Sequence, residues 1–282
     1  KIKGKEKQVS DPRVKGQRRV ARQSRLVEDQ FRLHIDTPKL GVNMHRLSPD
    51  SLINITAKIH GTSVVFSKVL TKKKLGWKDK VAKFFGANVQ EQQYDFVHSS
   101  RKVIKNQYFN DNKLSKGYYG EDIWSKASKE INPYLENGMT IYAEIVGFLE
   151  GGGYIQKGYD YGCQPSQHQV YIYRITSTND QGKVTEYSAN QVQEWCNLVG
   201  LKAVPLYYQG KARNLFNHID TEQHWHENFL QCIQSTYLER DDPLCVNKVP
   251  DEGICLRVEG VGIEVYKLRS FRFMEKESKD LD

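Results

Sequence analysis

The chain is 282 residues long with 38% hydrophobic residues, enough to bury a real core in one large domain or two small ones, so a disordered polypeptide is excluded. Lysine and arginine number 42 against 34 aspartates and glutamates, and the net charge of +8 attracts polyanions; nucleic acid is the first partner to consider, an ordinary basic enzyme the alternative. Five cysteines without a C-x-x-C pair argue against a zinc ribbon or disulfide framework and for a reducing, intracellular compartment, and no apolar run approaches the roughly 18 residues of a membrane span, so a soluble protein without a membrane partner is expected.

Residues 1–30 are rich in lysine and arginine with no apolar period and read as a basic N-terminal arm; the folded domain is expected over 31–282. Ile53 to Lys58 and Val64 to Leu70 alternate as two strands flanking a His-Gly turn, with Lys58 ending the first. Between Thr71 and Gln93 lies a basic insertion whose middle, Lys78 to Phe85, has the spacing of a short amphipathic helix; it reads as a solvated loop or a nucleic-acid contact. A helix is expected over Glu121 to Leu135, stopped by Gly138, followed by a strand from Thr140 to Phe148 and the glycines Gly151 to Gly153. Val170 to Thr176 is a further strand, and Ser188 caps a helix that ends at Gly200. Asp220 to Glu239 reads as helical; the nearby His218, His224 and His226 lack a fourth zinc ligand. Gly253 to Val258 and Gly262 to Leu268 close the chain as strands, giving an α+β fold with mainly antiparallel sheet.

Three of these strands place a charge inside an apolar run: Lys58, Glu144 and Lys267. A buried ion is costly without a partner, so each must meet an opposite charge, a ligand or a water-filled cleft. Lys267 and Arg269 are two apart on one strand and share a face, an arrangement suited to gripping an anion.

The run Lys58-Ile59-His60-Gly61 resembles the first motif of covalent nucleotidyltransferases, in the form typical of ATP-dependent, nick-sealing RNA ligases. Further matches follow in the family's order: Ser100-Arg101, Tyr142 to Gly147 around Glu144, Val170 to Tyr173, Glu252 to Arg257, and Tyr266 to Arg269. Gly153 to Tyr161 is also similar to this group. The resemblance implies an ATP-grasp-like nucleotidyltransferase domain with antiparallel sheets around an ATP cleft. It also implies three steps: a lysine attacks the α-phosphate of ATP, AMP passes to a 5′-phosphate, and a 3′-hydroxyl displaces AMP, with Mg2+ or Mn2+ assisting.

On that resemblance Lys58 is the nucleophile, with Lys267, Arg269 and bound magnesium lowering its pKa and neutralising the charge that builds on the α-phosphate. Only about one free lysine in 2,500 is the neutral amine at pH 7, so such help is needed. Tyr173 is expected to stack on adenine, Arg101 to hold the nucleotide or 5′-phosphate, and Glu144 and Glu252 to contact metal or ribose. His60 and Gly61 complete the nucleotide site, and Arg257 is expected at a phosphate. The implied partner is RNA or an RNA-containing duplex bearing a 5′-phosphate and a 3′-hydroxyl, bound by a monomer with a further domain upstream of Lys1. Two departures stand out: Arg269 replaces the second lysine of the last motif, and Ser63 stands where some nick-sealing relatives carry asparagine. A capping-type guanylyltransferase and a catalytically silent RNA-binding module are the alternatives.

Overall fold

A computed structural model describes residues 25–105, 119–260 and 262–281. Two mainly antiparallel sheets form the frame. The first orders its four strands β10-β9-β1-β8, from β1 (Leu52–Ala57), β8 (Leu206–Lys211), β9 (Gly253–Glu259) and β10 (Glu264–Arg269). The second orders β3-β2-β4-β5-β6, from β2 (Thr62–Lys72), β3 (Gln92–Ser100), β4 (Met139–Gly147), β5 (His168–Thr178) and β6 (Val184–Glu186), with β7 (Lys202–Ala203) parallel to β5. The expected α+β class and the expected strands are therefore present.

Strand patterning explains which sheet packs where. In β1 the alternating Ile53 and Ile55 face a core completed by Ile254 and Leu256 of β9, Tyr266 of β10, Leu40 of α1 (Leu40–Asn43), and Trp225, Phe229 and Ile233 of a longer helix spanning Trp225–Tyr237. In the second sheet Val64, Phe66, Ile141, Ala143 and Ile145 pack beneath α3 (Ile123–Ile131), which contributes Ile123, Trp124, Ala127 and Ile131 at helical spacing. A short helix, α2 (Trp77–Phe84), sits in the expected insertion between β2 and β3. Helix α4 (Ala189–Val199) begins with the reciprocal capping box of Ser188 and Gln191 and ends at Gly200 in the left-handed conformation, as its sequence predicts. Two further helices are α5 (Ala212–Leu215) and α6, the Trp225–Tyr237 helix already met, which starts later than the sequence suggests.

The expected basic arm falls largely on residues 1–24, outside the described residues. Residues 25–30 pack on the body: Leu26 is buried and bridges Thr71, and the Gln30 amide donates to the Asn179 carbonyl at 2.8 Å. The chain closes with α7 (Phe271–Leu281), a helix that follows β10 after Ser270. Its Phe273 is fully buried in a third cluster with Ala57, Ile59, Val146, Tyr159 and Tyr161, which joins the two sheets.

Gly253 shows how closely β9 and β10 approach. Its φ is +130°, and a Cβ there would lie 2.1 Å from the Leu268 carbonyl oxygen. Gly253→Ala is expected to destabilise the fold by about 2 kcal/mol or more, read from the midpoint of urea unfolding. An unchanged midpoint would show that the strands separate at little cost.

Candidate active site

Residues 58–61 carry the chain from one sheet to the other. The sequence suggests that β1 and β2 flank a simple turn; they belong to different sheets and do not pair, so Lys58-Ile59-His60-Gly61 is a crossing between the two layers. Lys58 stands just beyond the strand rather than ending it. Four main-chain contacts pin the crossing: Ala57 N–H donates to the Pro205 carbonyl (2.9 Å), Lys58 N–H to the Gly253 carbonyl (2.9 Å), and His60 N–H to the Tyr161 hydroxyl (2.7 Å), while the Gly61 carbonyl accepts from the Gln156 amide (2.7 Å). Gly61 is required here because a Cβ would stand 2.5 Å from the Ile145 carbonyl oxygen of β4.

The crossing aims Lys58 at the carboxylates. Lys58 Nζ lies 2.8 Å from Glu252 Oε1, and His60 Nδ1 lies 3.6 Å from Glu252 Oε2, with Glu252 itself buried. The His60 ring is wedged edge-on between Tyr159 and Phe273, at 4.8 and 4.7 Å between centroids. Glu144 comes in from β4, opposite Ser63 in the register. Burial pushes the Glu144 carboxyl up to about 8, and nearby Lys58 only partly offsets this. Burial also acts on Glu252, but the ammonium of Lys58 and its contacts with His60 overcome it and hold Glu252 below the usual carboxylate range.

Lys58 departs from the sequence expectation. Burial works to lower its pKa, yet Glu252, with smaller help from Cys255 and Glu144, outweighs burial and raises it above the ordinary lysine range. The Cys255 thiol, pushed up to about 11 by burial, is uncharged at neutral pH, so Glu252 is the operative partner there. The expected lowering by Lys267 and Arg269 fails because a carboxylate in direct contact outweighs cations farther off.

The cations of β10 are nevertheless at the site. Lys267 is opposite Cys255 in the β9/β10 register, makes no ion pair among the described residues, and has a lowered pKa through burial and the charges of Lys58, Arg269 and Arg101. Arg269 is tied to Glu277 of α7 at 3.0 Å. Arg101, in the bend after β3, pairs with Asp36 and lies within electrostatic reach of Lys267 and Glu144. Arg257 is not free to meet a phosphate: its guanidinium is buried among Glu186 (3.3 Å), Glu259 (2.9 Å) and the Tyr187 carbonyl (2.6 Å), where it ties β9 to the second sheet.

Tyr173 sits at a register shift. Ala143 pairs with Ile172 and Tyr142 with Arg174, so Tyr173 is the additional residue of a bulge, which lets Ile172 and Ile175 both reach the same core. Its hydroxyl is 2.8 Å from His34 Nδ1, and the His34 ring stands perpendicular to it at 6.0 Å. Burial, with the charges of Arg101, Lys58, Arg174 and Lys267, lowers the His34 pKa to about 4, which keeps its ring neutral. Sequence reasoning missed His34, Asp36 and Phe273 altogether. The polar residues of the Gln156 to Tyr161 stretch, two residues from a run of glycines, carried a signal; His34 and Asp36, in an irregular stretch without a period, did not.

A lysine, one buried and one half-buried carboxylate and a cationic strand gather where two mainly antiparallel sheets meet, the arrangement of the nucleotidyltransferase fold. The sequence profile of the RNA ligase family matches residues 52–269, and the chain belongs to that family. Among solved structures, it is similar to Naegleria gruberi RNA ligase with pyrophosphate (13% identity, TM-score 0.52, covering 91% of this chain and 60% of that one). A lysine-to-methionine mutant of that ligase with AMP and Mn (13%, 0.52, 90% and 60%) and a lysine-to-alanine mutant with ATP and Mn (13%, 0.52, 90% and 59%) are similar to the same degree. The chain thus spans about three-fifths of the length of these relatives. No curated protein matches it.

The raised pKa of Glu144 sets a test. Between 4.5 and about 8 the unfolded chain has released this proton while the folded protein keeps it, so Glu144 lowers stability progressively as pH rises through that window. Glu144→Gln removes the penalty, and its Tm advantage over the wild type is expected to grow from pH 4.5 to 8. A difference that stays flat across the series would show that Glu144 is ionised throughout.

Proposed function

We propose that the chain is the adenylylating domain of an ATP-dependent RNA ligase that joins a 5′-phosphate to a 3′-hydroxyl, in nick sealing or RNA repair. The observation that carries this reading is the placement of Lys58 against Glu252, with Lys267 beside both and Tyr173 along the same cleft. Family membership supports it, as do the ATP, AMP, pyrophosphate and Mn in structures of the Naegleria ligase.

In the proposed first step Lys58 Nζ attacks the α-phosphorus of ATP. An N–P bond forms, the P–O bond to the β-phosphate breaks, and pyrophosphate leaves. Nζ must shed a proton to water as the substrate enters, because the contact with Glu252 Oε1 at 2.8 Å holds Lys58 as the ammonium in the ligand-free protein. Lys267 and Arg101 bring positive charge to the developing oxyanion, and Tyr173 offers an aromatic surface for the base. In the second step AMP passes from Lys58 to the 5′-phosphate of the RNA, and in the third the 3′-hydroxyl displaces AMP.

Glu144 and Glu252 fit a divalent cation, for Glu144 has no hydrogen-bond or ion-pair partner among the described residues and keeps its proton only because charge is costly there. No cluster of three or more His, Cys, Asp or Glu side chains able to hold a metal occurs among the described residues, so the remaining ligands would be water and phosphate oxygens. When bound, the ion would favour the ionised carboxylates and the neutral amine and would draw charge from the α-phosphate.

Incubation with ATP labelled at the α-phosphate is expected to yield covalently labelled protein. Lys58→Ala should abolish the label, a chelator should prevent it, and Lys267→Ala should slow it by about 10²- to 10³-fold. Label taken only from GTP, or label that survives Lys58→Ala, would overturn the reading.

A further inference from the structure

Helix α2 lies in the basic insertion between β2 and β3 and buries none of its residues. Trp77, Val81, Phe84 and the following Phe85 are 72%, 46%, 85% and 79% exposed. Their spacing puts them on one side of the helix, and Lys78 and Lys80 flank that stripe on either side. From Thr71 to Gln93 there are six lysines (Lys72, Lys73, Lys74, Lys78, Lys80, Lys83) against Asp79 and Glu91. Lys73 pairs with Asp79 and Lys83 with Glu91, while Lys72, Lys74, Lys78 and Lys80 make no ion pair among the described residues. The insertion therefore presents an exposed apolar stripe bordered by positive charge without ion-pair partners among the described residues.

We propose that this face docks on an anionic lipid surface, with the stripe in the headgroup and acyl boundary and the lysines among lipid phosphates and carboxylates. A short helix with aromatic residues on one side and lysines beside them has the chemistry of interfacial anchoring. A nucleic-acid strand suits it less, because bases stack on ring faces in series. Phe84 and Phe85 stand edge to face at 5.4 Å and 84°, Lys78 lies 5.9 Å over the Trp77 ring, and Val81 offers no π-surface. No helix among the described residues is long and apolar enough to cross a membrane, and interfacial docking needs none. The expectation of no membrane partner rested on the lack of a span and did not weigh this helix. Strand β2 runs roughly 35 Å from the crossing at residues 58–61 to the start of the insertion that holds α2.

Flotation of the whole chain with vesicles of phosphatidylcholine plus phosphatidylserine is expected to recover at least about tenfold more protein than vesicles of phosphatidylcholine alone, and added salt should reduce the difference. Trp77→Ser/Phe84→Ser/Phe85→Ser and Lys78→Glu/Lys80→Glu should each lose this recovery while keeping the wild-type circular dichroism and Tm. Trp124 and Trp225 are buried and Trp195 is half-buried, so the part of the iodide quenching that is lost in Trp77→Ser reports the exposed Trp77, and its protection by the anionic vesicles gives a second readout. Equal recovery on both vesicle types, or a triple-serine variant that floats like the wild type, would overturn the proposal. So would protection of Trp77 by RNA but not by vesicles, or a lipid-free dimer abolished by the serine substitutions, which would assign the face to RNA or to a second copy.

Discussion

The contact between Lys58 and Glu252 is the interaction on which the site depends. An ammonium and a carboxylate 2.8 Å apart, both largely withdrawn from water, are costly to desolvate and strongly coupled once together. Glu144 completes a balanced set by holding a proton, so Lys58, Glu252 and Glu144 together carry little net charge in the ligand-free protein. On the function proposed above, a triphosphate and a cation would enter by redistributing that charge and so release the Lys58 amine from Glu252.

The architecture supplies the contact by bringing two sheets together at one crossing. Lys58 and His60 lie between the sheets, Glu252 immediately precedes β9 of the first and Lys267 lies in its β10, and Glu144 and Tyr173 belong to the second. The third hydrophobic cluster, with Tyr159, Tyr161 and Phe273 at its centre, fixes the angle between the layers and backs the His60 ring. Close main-chain approaches at Gly61 and Gly253 hold the crossing against both sheets, so glycine at these positions is a structural requirement of the site.

Much of this was legible in the sequence. Lys58, Glu144 and Lys267, charges read inside apolar runs, called for an opposite charge, a ligand or a cleft: Lys58 meets Glu252, and Glu144 and Lys267 lie within electrostatic reach of Lys58. Helix α4 was equally plain, since Ser188, Gln191 and Gly200 specify its ends locally. What the sequence hid depended on long-range geometry. The run from β1 into β2 reads as a turn because local pattern cannot tell a hairpin from a change of sheet. The direction of the Lys58 shift was misread because pairing with Glu252 joins residues 194 positions apart. Arg257 matched a motif, yet Glu186 and Glu259 claim it, a competition visible only once β6 and β9 are neighbours in space. His34 sits in an irregular stretch where no period signals burial.

That last residue bears on where the working unit ends. The stretch that defines the family runs from 52 to 269, but His34 touches Tyr173, Asp36 engages Arg101, the Pro38 carbonyl accepts the Lys267 N–H at 2.8 Å, and Phe273 and Glu277 brace His60 and Arg269 from beyond it. A piece excised at those limits would keep every motif and lose the outer walls that hold them, so the smallest body that keeps this site intact is longer at both ends than its signature.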